Sequence, residues 1–170
     1  ELGRNGPALD VQLTERCGHA VELTRAAVAA GARSIIVLGG DGTLGEVVAG
    51  CIAPDGLAPL ADDIEISLIH QGTGGDLARG LELPKDEAGA IEVALRGATR
   101  RIDVGVAEFT PRSGLTPVAD ASADGLLMRG FVSTSNVGVG AEVVERAAGR
   151  LKRFGRSASF AVATVACLAR

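Results

Sequence analysis

Apolar residues in the first hundred positions alternate between two spacings, and the alternation predicts the elements. Across about 18–30, Ala20, Leu23, Thr24, Ala27 and Val28 recur at helical period on one face, and Gly31 supplies the C-terminal stop. Residues 34–38 form a compact β-branched run, the pattern of a strand buried on both faces of a parallel sheet. A glycine loop, Gly39-Gly40-Asp41-Gly42-Thr43, follows at once, and 43–51 continues as a helix. The stretch 53–63 holds Pro54, Gly56 and Pro59 and reads as a loop. A second strand is predicted over 64–69, running into a second glycine loop, Gly72-Thr73-Gly74-Gly75-Asp76, and a short helical stretch through Leu81. Residues 86–96 return to helical spacing and end at Gly97. Ahead of these, 9–13 alternates in polarity like a short strand.

Strands alternating with helices predict an α/β fold with a parallel, three-layered sheet over 1–100. The texture changes after Arg100: 101–109 and 126–135 read as strands joined by a segment rich in Pro, Ser, Asp and Ala over 110–124. Helices are predicted over 141–151 and 157–168, so 101–170 is expected to be part of a β-rich second domain carrying helices. The chain lacks an initiator Met and ends inside an apolar helical pattern, and it reads as a piece of something longer, short of an N-terminal strand.

Composition narrows the chemistry. The 170 residues are 46% apolar, enough for a real core, and a net charge of −4 provides no basic field for nucleic acid. Aromatic content of 2%, without Trp or Tyr, removes the platforms on which bases stack. The three cysteines, Cys17, Cys51 and Cys167, are odd in number and scattered, which fits a reducing cytoplasm better than a disulfide framework or a metal site. No opening signal segment is visible, and the most apolar tract, 160–169, is too short to span a bilayer, so membrane contact is expected to be peripheral.

The first glycine loop invites an anion. Glycines permit close backbone approach, so successive N–H groups can line one concavity, and the helix that follows adds its positive N-terminal end. Asp41 is the informative residue, because a carboxylate beside polyphosphate is repelled unless Mg²⁺ or a transferable proton lies between them. A tight turn with Asp41 as a helix cap is the plainer reading of a lone triplet. A second glycine loop with its own carboxylate, Asp76, favours a ligand, since ligands gather at the carboxyl ends of parallel strands.

The string VLGGDGTLGEVVAG at 37–50 resembles the GGDGT motif, with its following E-V and G, of diacylglycerol kinases, sphingosine kinases and their bacterial relatives. GTGGDLARGLELP at 72–84 is similar to that family's G-T-G-N-D-F-A-R and L-G-I-P. Ile102-Asp103 resembles its I-D at the domain junction, and FVSTSNVGVGAEVV at 131–144 its F-L-N and G-x-D-A-E-V segments. NAD kinases share the first motif only. The resemblance implies a nucleotide-binding domain of the NAD kinase and diacylglycerol kinase type followed by a β-sandwich, with ATP and Mg²⁺ bound and a lipid hydroxyl as acceptor. By position, Gly39, Gly40, Gly42 and Thr43 would cradle phosphates, and Asp41 would hold Mg²⁺ through water or act near the attacking hydroxyl. Gly72, Thr73 and Asp76 would lie on the nucleotide side with Glu46 in support, and Glu142 also matches a family position. A non-catalytic nucleotide-sensing module and an NAD kinase-like enzyme are the alternatives.

This chain departs from the pattern at Gly75, where the family has Asn, at His70, where it has Pro, at Ser133, where it has Asn, and at Gly140, where it has Asp. Losing the Asn amide removes a donor and an acceptor from the nucleotide side. The family's opening N-P and glycine segment and its late D-G-E segment are not in this stretch. His70 reads as a core-edge residue or a phosphate contact, and His19 as a helix-start residue. Arg79 would either reach phosphate or pair with Asp76 at helical spacing. Arg146, Arg150, Lys152, Arg153 and Arg156 read as a solvated face balanced by Glu142 and Glu145, with anionic lipid as the alternative partner.

Overall fold

The computed structural model describes residues 9–54, 56, 58–71, 74–109, 127–133, 139–148 and 156–168. They form α1 (His19–Ala29), β1 (Ser34–Gly39), α2 (Asp41–Gly50), β2 (Glu65–His70), α3 (Asp76–Gly80), α4 (Glu87–Arg96), β3 (Gly105–Phe109), β4 (Leu127–Phe131), α5 (Val139–Ala148) and α6 (Arg156–Leu168). The chain is mixed α/β and divides into two compact units, Glu1–Ser133 and Thr134–Arg170.

In the first unit β1 and β2 pair in parallel, from Ser34 opposite Glu65 to Gly39 opposite His70. Successive strand residues point to opposite faces. Val37 and Leu68 enter the core with Ala20, Leu44, Val47 and Val48 of α1 and α2. Each large aliphatic side chain buried there contributes about 1.5–3 kcal/mol. Ser67 points the other way, and its hydroxyl reaches the Ala94 carbonyl of α4 at 3.5 Å. The helix lies along β2, so Ile69 is buried while Leu38 of β1 stays 64% exposed. Burial of the first strand on both faces, expected from its composition, is therefore incomplete.

Helices α1 and α2 approach closely at Gly50. A Cβ there would lie 2.6 Å from Thr24 Cβ and 2.9 Å from the Val21 carbonyl oxygen, so glycine is required by backbone contact. The hairpin of β3 and β4 pairs antiparallel, from Gly105 opposite Phe131 to Phe109 opposite Leu127, and Gly130 lies over Ile52 just beyond α2. Its strands are shorter than the sequence predicts. The ladder starts at Gly105, and beyond Phe131 the backbone leaves extended geometry, with Ser133 at φ +85°.

The strand predicted over 9–13 is not formed. Leu9, Val11 and Leu13 are 45%, 74% and 79% exposed, and no strand among the described residues pairs with them. Alternating polarity without a ladder partner does not hold a strand. Conversely, α2 starts two residues before the predicted 43–51, because Gly40 is extended and its carbonyl accepts the Leu44 N–H at 3.0 Å, which draws Asp41 and Gly42 into the first turn.

In the second unit α5 and α6 pack through Val143, Ala163 and Cys167. Arg146 bonds Glu142 at 2.6 Å and donates to the Ala166 carbonyl at 3.0 Å, so this member of the basic cluster is committed within its own unit. Arg150, Lys152 and Arg153 lie outside the described residues. Among the described residues no helix is long and apolar enough to cross a membrane.

Candidate functional site

Both glycine loops leave the sheet at the same edge. The parallel register places Gly39 opposite His70, and the Gln71 N–H extends the ladder to the Gly39 carbonyl at 2.9 Å. The carboxyl ends of two parallel strands, where α/β sheets bind ligands, are thus side by side.

The first loop continues without a break into α2. Gly40 is its N-cap, and no side chain caps the helix. The first-turn N–H groups, those of Asp41, Gly42 and Thr43, precede the first intrahelical bond and lack an intrahelical acceptor. A Cβ on Gly42 would meet nothing within 4 Å, so this side of the turn is open. One on Gly39 would lie 3.0 Å from Thr43 Oγ1, so the threonine hydroxyl folds back onto the loop.

Asp41 joins the two loops. Its Oδ2 accepts the Gly75 N–H at 2.8 Å. Its Oδ1 is buried and has no hydrogen-bond partner among the described residues. An unpaired buried acceptor costs about 1–3 kcal/mol, which a cation at that oxygen would relieve. Among the described residues no cluster of three or more His, Cys, Asp or Glu could hold a metal ion. A single carboxylate suits Mg²⁺, which keeps waters and substrate phosphate oxygens as its other ligands.

Asp76 is placed differently. It opens α3, is exposed, and pairs with Arg79, which also donates to the Gly74 carbonyl. Of the two readings for Arg79, the geometry has the pairing with Asp76. Gly72 and Thr73 lie outside the described residues.

Glu46 sits five residues past Asp41 on α2, on a different face, and its carboxylate points to α1. Oε1 accepts the Gly18 N–H at 2.9 Å and Oε2 the Ala20 N–H at 3.2 Å, while Cys17 Sγ lies 3.6 Å from Oε1. It serves as a remote cap for a helix whose own N-cap residue, Gly18, has no side chain to do it. Sequence reading missed this bond, although a helix start without Ser, Thr, Asp or Asn is a signal that a distant acceptor is needed. His19 begins α1 as expected, and its Nδ1 accepts the Glu15 N–H at 3.1 Å.

Comparison with known proteins supplies the family. The family model for the diacylglycerol kinase catalytic domain matches residues 1–107. A protein of Chromohalobacter salexigens named probable lipid kinase YegS-like is 38% identical over 102 residues, 59% of this chain and 31% of the relative. A diacylglycerol kinase of Staphylococcus epidermidis is 34% identical over 105 residues, 62% of this chain and 31% of the relative. One from Staphylococcus aureus is 31% identical over 105 residues, with the same coverage. The matched stretch thus spans about a third of these curated relatives. The matched segment contains both glycine loops and the strands that bring them to one edge, and by it the chain belongs to the diacylglycerol kinase catalytic-domain family.

Proposed function

We propose that this chain is the nucleotide-binding part of an ATP-dependent lipid kinase that transfers the γ-phosphate to the hydroxyl of a diacylglycerol-like lipid. The observation that carries the reading is the Asp41 carboxylate set between two glycine loops at one sheet edge, in a chain of this kinase family. In the reaction the lipid hydroxyl oxygen forms a bond to the γ-phosphorus, the bond from that phosphorus to the β–γ bridging oxygen breaks, and the hydroxyl proton is released. Bound Mg²⁺ would neutralise phosphate charge, and Asp41 is the residue here to hold it through Oδ1.

Gly39, Gly40, Gly42 and Thr43 take the phosphates, with first-turn amides of α2 as donors. By their positions in the second motif, Gly72, Thr73 and Asp76 are assigned to nucleotide binding. Glu46 supports the site from behind by fixing α1 against α2. The domain is of three-layer nucleotide-binding type, supported by α2 and α4 contacting side chains from opposite faces of the parallel pair, and is followed by a β-rich second domain. The protein works in the cytoplasm and meets its lipid by peripheral contact at the inner membrane face.

The test is a screen of lipid acceptors with labelled ATP and Mg²⁺, using the full-length protein. A phosphorylated lipid, with diacylglycerol among the best acceptors, is the expected product. Phosphorylation of NAD but of no lipid would overturn the reading, and tight ATP binding without any product would make the protein a nucleotide sensor.

A further inference from the structure

Residues 70 and 75, five apart along the chain, meet in the folded structure. His70 ends β2, and Gly75 precedes α3 with a left-handed backbone at φ +76° and ψ 36°. A Cβ on Gly75 would lie 2.8 Å from His70 Nε2, 3.1 Å from Cδ2 and 3.2 Å from Cε1. The imidazole therefore fills the space that a side chain at residue 75 would need. Asparagine enters the left-handed region at lower cost than most residues, but a side chain at residue 75 would have to displace the imidazole as well. The N–H of this same Gly75 donates to Asp41 Oδ2 at 2.8 Å.

We propose that His70 is a positioning residue whose imidazole, by packing on Gly75, keeps the Gly75 N–H on Asp41. Glycine is the residue with the most backbone freedom to lose, and a ring packed over it restricts that freedom where the amide must point at one oxygen. His70 and Gly75 thus operate as a pair, and the cost of a side chain at residue 75 depends on whether the imidazole is present. With Oδ2 tied to Gly75, Asp41 keeps Oδ1 for the cation. The inference rests on the reading of Asp41 given under the proposed function.

The experiment is a double-mutant cycle in the full-length protein, comparing wild type, Gly75→Asn, His70→Ala and the double variant. Three quantities are read: equilibrium binding of ATP with Mg²⁺, the Mg²⁺ concentration for half-maximal turnover, and melting temperature. Gly75→Asn alone is expected to weaken ATP binding and raise the Mg²⁺ requirement by about tenfold, the scale of an overpacked contact. In the His70→Ala background the same substitution should cost about twofold or less, the scatter of independent sites. His70→Ala alone should raise the Mg²⁺ requirement several-fold.

Equal costs of Gly75→Asn in the two backgrounds would overturn the pairing. A lower melting temperature for His70→Ala with an unchanged Mg²⁺ requirement would overturn the positioning role. Should Gly75→Asn not fold, Gly75→Ala adds only the Cβ, and its backbone strain is common to both backgrounds and cancels in the cycle. If wild-type protein binds no ATP, the proposed function fails, and the melting-temperature cycle decides the pairing by itself.

Discussion

The two glycine loops differ less in sequence than in what they do with their carboxylates. Each follows one of a pair of parallel strands, and each places an aspartate at the first position of the next helix. Asp41 turns toward the neighbouring loop, with one oxygen on the Gly75 amide and the other buried. Asp76 turns to solvent and pairs with Arg79 on its own helix. The supports differ too. Helix α2 buries Leu44, Val47 and Val48, whereas α3 is five residues long and buries Ala78. A similar local motif thus gives a fixed internal carboxylate on a rigid helix and a solvated ion pair on a short one.

The contrast is tested most severely by charge. Asp41→Asn keeps an acceptor for the Gly75 N–H and removes the negative charge, so under the proposed function turnover by the full-length protein should fall by about 10²–10⁴-fold with the fold retained. Asp76→Asn removes an exposed ion pair worth about 1 kcal/mol at most, and turnover should stay within about tenfold. Equal losses in steady-state assays of the two variants would erase the distinction between the loops.

Packing gives the next largest effect. Leu44→Ala should destabilise the protein by about 2–5 kcal/mol, since Leu44 is 3% exposed in the main core. Leu77, on α3 and only partly buried, should cost distinctly less on the same substitution. Denaturant titrations of both variants check this, and a cost at Leu77 equal to that at Leu44 would mean that α3 is as firmly held as α2.

The smallest effect is alkaline. Cys51 caps the far end of α2, and burial raises its thiol from an ordinary 9.0 to about 11. The native state then keeps a proton that the unfolded state gives up. Stability from this group is intact below pH 9.0 and is lost as the pH rises toward about 11. Melting temperature should fall across that window, and Cys51→Ala should flatten the fall. An unchanged slope in the variant would locate the alkaline sensitivity elsewhere.

Much of the element order around the candidate site could be read from the chain. The β-branched runs that lead toward the glycine loops place both strands to within a residue, and a helix follows each loop as expected. The strand expected over 9–13 shows the limit, because polarity alternation reports a face to bury and not the partner that buries it. Glu46 shows another. Its position in the motif placed it near the nucleotide, but its oxygens accept from Gly18 and Ala20 at the start of α1, 28 and 26 residues earlier in the chain.

By itself, then, the amino-acid sequence determined the glycine loops, their order and the elements that flank them, because turn chemistry and apolar period act over a few neighbouring residues. Tertiary structure alone decided that Asp41 is the carboxylate held between the loops, that Glu46 caps α1, and that His70 fills the space beside Gly75. Those outcomes depend on the parallel register of β1 with β2 and on the packing of α1 against α2. Both bring together groups far apart along the chain, and no local pattern encodes which donor will meet which oxygen.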